Sequence, residues 1–163
     1  MSEKIWKVYL SGEIHSDWRE RIRDGAAAAG LPIRFDAPVT VHENSDDCGV
    51  AILGAEPNSF WHDHKGALLN SVRTRTLIED ADIVVVRFGE KYKQWNAAFD
   101  AGMAAALGKA LMILHSAEHT HALKEVDAAA QVVAETPEQI VQALAYAING
   151  AMPDQRYRKE AAE

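Results

Sequence analysis

Residues 81–115 read ADIVVVRFGEKYKQWNAAFDAGMAAALGKALMILH, and this stretch decides the fold. ADIVVVRF (81–88) is a continuous apolar run, not an alternating one. Such a run marks a strand buried on both faces, as in a parallel sheet. A polar, aromatic loop follows. Residues 97–107 then predict a helix of small residues, with Asn96 as its cap, Gly108 as its stop and Asp100 inside its first turn. ALMILH (110–115) is a second buried strand.

Working outward, KVYLSG (7–12) reads as a short buried strand ending at a glycine turn. The next helix has Ser16 as its N-cap and Asp17 complementing the positive helix end. It runs through Ile22 and an alanine run and stops at Gly30, before Pro32. IRF (33–35) is a strand. Over residues 36–63 no period persists, and Pro38, Gly49, Gly54 and Pro57 punctuate the chain, so a long functional or mobile loop is expected. HKGALLNSVRTRTLIED (64–80) is helical. After residue 115 come a short helix over 121–129, the strand QVVAE, and a helix announced by Thr136, Pro137 and Gln139 that ends near Gly150. Strand and helix alternate about five times, which predicts an α/β domain over residues 1–150 with an open, mostly parallel five-stranded sheet. Residues 151–163 read as a polar tail.

The 163 residues suit a single domain, with 48% hydrophobic and 25% charged residues. A net charge of -7 argues against a nucleic-acid polymer as partner, which needs a basic footprint. Small anions remain possible, because single arginines and helix ends hold them. The lone cysteine, Cys48, excludes an internal disulfide and a cysteine metal centre, and suits a reducing cytoplasm. The first residues lack a signal-peptide pattern, and no apolar run approaches the roughly 20 residues of a membrane helix.

In parallel α/β sheets, ligands sit beyond the carboxyl ends of the strands. That rule selects residues 11–15, the chain from Asp36 onward, and residues 88–96. Asp100 rises beside this edge. It reads either as a helix-dipole partner contributing about 0.3–1 kcal/mol, or as a carboxylate nucleophile with small neighbours clearing space before it. Glu13 and His15 are candidates for moving a proton, or belong to a solvated loop. Arg87, Lys91 and Lys93 suit an acidic ligand group or plain solubility, with a fixed Arg87–Glu90 pair as one outcome. Tyr92 and Trp95 suit stacking on a flat base or cover by another subunit. His62 and His64 are spaced poorly for a shared metal. His115, His119 and His121 follow a strand, with a surface role expected for His115.

Asn96-Ala97-Ala98-Phe99-Asp100-Ala101-Gly102-Met103-Ala104, with Leu107-Gly108-Lys109, resembles the nucleophile helix of the nucleoside 2-deoxyribosyltransferase superfamily. KVYLSGEI resembles its first strand. FGEKYKQWNAAFDAG and HALKEVDAAA are similar to the YtoQ family within it. The resemblance implies a flavodoxin-like three-layer sandwich, a nucleoside or nucleotide as small-molecule partner, cleavage of an N-glycosidic bond, no cofactor, and a homo-oligomer. It implies Asp100 as nucleophile and Tyr9 as the group orienting it; Glu13 or His15, at the expected ligand edge, would then move the proton. Ser11, Gly12, Arg87, Gly89, Gln94, Trp95, Asn96 and Met103 are the expected substrate contacts. Three positions depart from the superfamily pattern. Asp100 replaces a glutamate, Gln94 stands where relatives carry an aspartate or serine for the sugar, and Thr74 occupies the neighbourhood of a further aspartate. A non-catalytic ligand-binding module on the same fold is the alternative.

Overall fold

Five strands form the sheet: β1 (Trp6–Gly12), β2 (Ile33–Asp36), β3 (Ile83–Arg87), β4 (Ala110–Leu114) and β5 (Val132–Ala134). They come from a computed structural model that describes residues 4–91 and 93–153. All neighbours run parallel, in the order β2-β1-β3-β4-β5. The chain steps outward from β1 to β2 and then crosses back to β3. This is the flavodoxin-like order, with its switch point between β1 and β3. Register there sets Ser11 beside Val86 and Gly12 beside Arg87.

Six α-helices lie among the described residues: α1 (Trp18–Ala28), α2 (His42–Leu53), α3 (Ser59–Asp80), α4 (Trp95–Ala106), α5 (Lys124–Ala128) and α6 (Pro137–Asn149). The period of 2 along each strand divides the core into two halves. Val8, Leu10, Ile83, Val85, Met112 and Leu114 face α1 and α6. Tyr9, Val84, Val86, Leu111 and Ile113 face α3 and α4. Helix α4 presents Ala97, Ala101 and Ala104 to the sheet. Their small side chains let its backbone approach closely, so a polar residue on the border of that stripe reaches the strand ends.

Three expectations need correction. Residues 36–63 are not one long loop: they hold all of α2 and the start of α3, which Asn58 caps by accepting from the Trp61 amide at 3.1 Å. The helix α2 escapes periodicity because its backbone makes the close contact. A Cβ on Gly49 would stand 2.5 Å from the Gly66 nitrogen of α3. Ser16 caps nothing; the N-cap position of α1 is Asp17, and the Ser16 hydroxyl donates to Glu13 Oε2 at 2.6 Å. Asn96 lies inside α4, whose N-cap position is Gln94. Asp100 therefore sits in the second turn, where the helix-dipole reading loses its force. The expected capping box at Thr136 and Gln139 is present, and Gly150 closes α6 with a φ of +72°.

Candidate active site

Tyr9 and Ser11 are alternate residues of β1 and share the face that α4 covers. Both are fully buried. The Ser11 hydroxyl donates to Asp100 Oδ2 at 2.5 Å. Oδ1 of Asp100 has no hydrogen-bond partner among the described residues. Burial pushes the Asp100 carboxyl above its ordinary pKa, and the Ser11 hydrogen bond only partly opposes this. One oxygen is thus fixed while the other keeps its lone pairs available. The expected hydrogen bond from Tyr9 to Asp100 is absent. The Tyr9 hydroxyl is buried and unpartnered. Burial, with the nearby Asp100 charge, pushes Tyr9 up to about 12, although Thr74 works in the other direction. Thr74 lies beside the phenol, outside hydrogen-bonding geometry.

The turn after β1 is built differently. Gly12 has a φ of +104°, and a Cβ there would meet the Arg87 carbonyl oxygen at 2.1 Å. Only glycine allows this approach. Glu13 is buried; Oε2 accepts from Ser16, Oε1 accepts from the His15 amide, and Arg87 Nε stands 3.5 Å away. Burial raises its carboxyl, but the Ser16 and His15 hydrogen bonds and the Arg87 charge outweigh that and leave it below the ordinary value. Glu13 is therefore an ionised acceptor at neutral pH, and His15 is exposed beside it. Gly89 supports the same contact: a Cβ would stand 2.4 Å from Glu13 Cγ.

In the β3–α4 loop, Gln94 Oε1 accepts from the Gly89 amide at 3.0 Å, and Gln94 Nε2 donates to the Lys91 carbonyl. Its side chain braces the loop. Arg87 also pairs with Glu90 at 3.5 Å. Trp95 is 75% exposed and Phe99 69%, Asn96 is exposed, and Met103 is half-buried against the α4 core. Tyr92 lies outside the described residues. The structure thus brings Ser11 to Asp100 and Gly12, Gly89 and Arg87 to Glu13. Trp95 and Asn96 are exposed at the start of α4 and hydrogen-bond to neither group.

One group that sequence reasoning missed adjoins the site. Arg19 is buried; Nε donates to the Leu10 carbonyl at 3.0 Å, Nη1 to Glu13 at 2.6 Å and Nη2 to Gly12 at 3.0 Å. Burial lowers its pKa to about 10, so it stays cationic at neutral pH. Its spacing from Ile22 and Ala26 puts it on the apolar face of α1, which was the readable signal. Beyond it opens a cleft of about 380 Å³ lined by Ser16, Arg23, Asp36, Thr40 and Arg73 among others. His115 is not on the surface either: it is 2% exposed, with Nε2 3.1 Å from both Asp127 carboxylate oxygens and Nδ1 2.7 Å from the Ser116 carbonyl. His62 of α3 faces Asp47 and Asp63.

Known proteins bear out the likeness read from Asn96 to Lys109. The family described as nucleoside 2-deoxyribosyltransferase YtoQ matches residues 9–148. "Uncharacterized protein YtoQ" of Bacillus subtilis (strain 168) is 45% identical over 139 residues, covering 85% of this chain and 94% of that protein. The 2-deoxyribosyltransferase of Bacillus psychrosaccharolyticus shares the fold, with a TM-score of 0.51 and 16% identity over 83% of this chain and 90% of that one. The Clostridium botulinum CMP N-glycosidase BcmB aligns with a TM-score of 0.49 and 14% identity, over 85% and 97%. The family match and the 45% identity together show that the chain belongs to the nucleoside 2-deoxyribosyltransferase YtoQ family.

Proposed function

We propose that the protein breaks the N-glycosidic bond of a nucleoside or nucleotide-like small molecule, with Asp100 as nucleophile. The observation that carries this reading is the half-held carboxylate: Oδ2 fixed by Ser11, Oδ1 unpartnered, both at the carboxyl edge of the sheet. Oδ1 attacks the anomeric carbon. The C–N bond breaks, its electron pair leaves with the base nitrogen, and that nitrogen takes a proton. Water or a second base then attacks the same carbon, the ester C–O bond breaks, and the carboxylate is restored. Glu13 is ionised and engaged at both oxygens, so of the two groups on the turn His15 is the proton carrier. Tyr9, protonated at neutral pH, orients the ligand by donating a hydrogen bond. The exposed Trp95 at the start of α4 suits stacking on the base.

The test is incubation with ribo- and deoxyribonucleosides and their 5′-monophosphates, with and without a second free base, followed by chromatography. Base release or exchange that disappears in Asp100→Asn, with a sugar adduct on Asp100 trapped in mass spectrometry, supports the reading. Turnover that persists in the variant sinks it. One observation favours the non-catalytic alternative: Gln94, at a sugar-reading position, is tied to the loop backbone. That alternative predicts ligand-induced thermal stabilisation with no turnover across the panel.

The active form is a homo-oligomer. Phe60, Trp61, Leu68 and Val72 of α3 are about half to two-thirds exposed, and Trp95 and Phe99 of the adjoining α4 are more so. Exposed apolar side chains on two adjoining helices suit a second copy. A monomer by light scattering at micromolar concentration overturns this. The setting is the cytoplasm, where Cys48 stays a thiol; among the described residues no helix is long and apolar enough to cross a membrane.

A further inference from the structure

We infer that the cleft beyond Arg19 is an anion subsite, in which Arg73 and Arg23 read an acidic oxygen group on the ligand at the end remote from Asp100. The inference rests on the proposed function for the ligand class and narrows it to nucleoside-like acids. The chain carries a net charge of -7, yet three guanidiniums, Arg19, Arg23 and Arg73, line this one cleft. The carboxylates that line it neutralise them only in part. Asp36 pairs with Arg34 at 3.0 Å, and Glu20 reaches only Arg23, at 4.0 Å. Arg19 has carbonyl partners and Arg73 donates only to the Ala37 carbonyl at 3.2 Å, so neither has a carboxylate partner among the described residues. Ser16 and Thr40 add hydroxyls to the same wall.

The strand register brings this cleft next to Tyr9, since β1 pairs Tyr9 with Asp36 of the cleft wall. The Tyr9 hydroxyl is buried and has no partner. Burial and Asp100 raise its pKa, and Arg19 and Arg73 lower it. A ligand that reaches both regions passes this orphan donor and satisfies it. Charge then sets the direction of binding. An acid group is drawn to the arginines and repelled by Asp100, so the uncharged sugar carbon is the part presented to the carboxylate. Planar guanidinium groups suit either a phosphate or a carboxylate, through paired N–H···O bonds. The acid is therefore a 5′-phosphate on the sugar or a carboxylate on the base.

Four probes separate these sources: ribose 5-phosphate against ribose, and orotate against uracil, by calorimetry at low salt. None contains an N-glycosidic bond, so the result is independent of turnover and of the role of Asp100. A charge-assisted hydrogen bond contributes about tenfold to a hundredfold in affinity. The expected result is that one acid binds about tenfold or more tightly than its neutral counterpart. Arg73→Gln should shrink that ratio to within about threefold, and Arg73→Lys should keep part of it. Arg73 is exposed and makes one backbone hydrogen bond, so an unchanged melting temperature shows that the variants fold. A preference for ribose 5-phosphate assigns the phosphate; a preference for orotate assigns the base carboxylate. The subsite is refuted if neither acid outbinds its counterpart, or if the preference survives in Arg73→Gln.

Discussion

Two carboxylates lie near the carboxyl edge of the sheet, and the molecule treats them in opposite ways. Around Glu13 both oxygens accept hydrogen bonds and all three nitrogens of the neighbouring Arg19 donate to carbonyls, and only Arg87 Nε, 3.5 Å from Glu13 Oε2, lacks a hydrogen bond. Around Asp100 one oxygen is held by Ser11, the other is unpartnered, and the adjacent Tyr9 hydroxyl is unpartnered too. Buried polar groups cost stability unless hydrogen-bonded. A region that satisfies them is built for rigidity, and one that leaves them open keeps capacity for a ligand. The opposite pKa directions of Glu13 and Asp100 express the same difference.

Asp100→Asn breaks this comparison most sharply. The substitution removes the proposed nucleophile, and turnover in a base-exchange assay should fall on the order of 10⁴-fold. The fold should not suffer. The native site disfavours the charged form, so the amide should melt at the same temperature as the parent or above it. A variant that unfolds instead would make Asp100 a structural group like Glu13.

Arg19→Met tests the other side. It removes the donor to three carbonyls at the end of β1. The cost should be about 3–5 kcal/mol in urea unfolding, as for breaking a buried charged network. A loss under about 1 kcal/mol would mean that water replaces the guanidinium and that this turn is less closed than its geometry implies.

Much of this was legible and some was not, for physical reasons. β3, α4 and β4 were readable because continuous apolar runs and a glycine stop mark buried strands around a helix. Helix α2 was not, because Gly49 and Gly66 make a backbone contact that leaves no apolar period. Asp100 was readable through its small neighbours and the motif around it. Its partner was misassigned: both Tyr9 and Ser11 face α4, and only the three-dimensional path of α4 decides which one reaches the carboxylate. Arg19 escaped because a cation in a first helical turn looks solvated until the loop carbonyls fold over it.

The pH dependence sharpens the contrast. Asp100 has a folded pKa above its ordinary value of about 3.9. Its contribution to stability is fully present below that value and is lost as pH rises through the raised pKa. Glu13 has a folded pKa below the ordinary value of about 4.3. Its contribution is present above that value and is lost as pH falls through the lowered pKa. Urea midpoints across this range should show Asp100→Asn gaining on the parent toward neutral pH. Glu13→Gln should trail it there, with the gap closing in acid. In activity, the acid limb should follow ionisation of Asp100. Ser11→Ala should move that limb to higher pH and lower turnover about tenfold, since it removes the donor that favours the ionised form. An unmoved limb would detach Ser11 from the carboxylate.

Tyr9→Phe carries the smallest expected change in stability and the cleanest distinction. In a satisfied region, deleting a buried hydroxyl leaves its partner orphaned and costs about 1–3 kcal/mol. Here the hydroxyl has no partner, so the ligand-free variant should melt within about 1 kcal/mol of the parent, or above it. With ligand the sign reverses. The hydrogen bond proposed from Tyr9 to a bound molecule is then gone, and the stabilisation produced by that molecule should shrink. A variant that loses stability without ligand would reveal a partner for the phenol inside the protein. Unchanged ligand stabilisation would show that the open hydroxyl faces no ligand, leaving Oδ1 of Asp100 as the group that sets this side of the sheet apart.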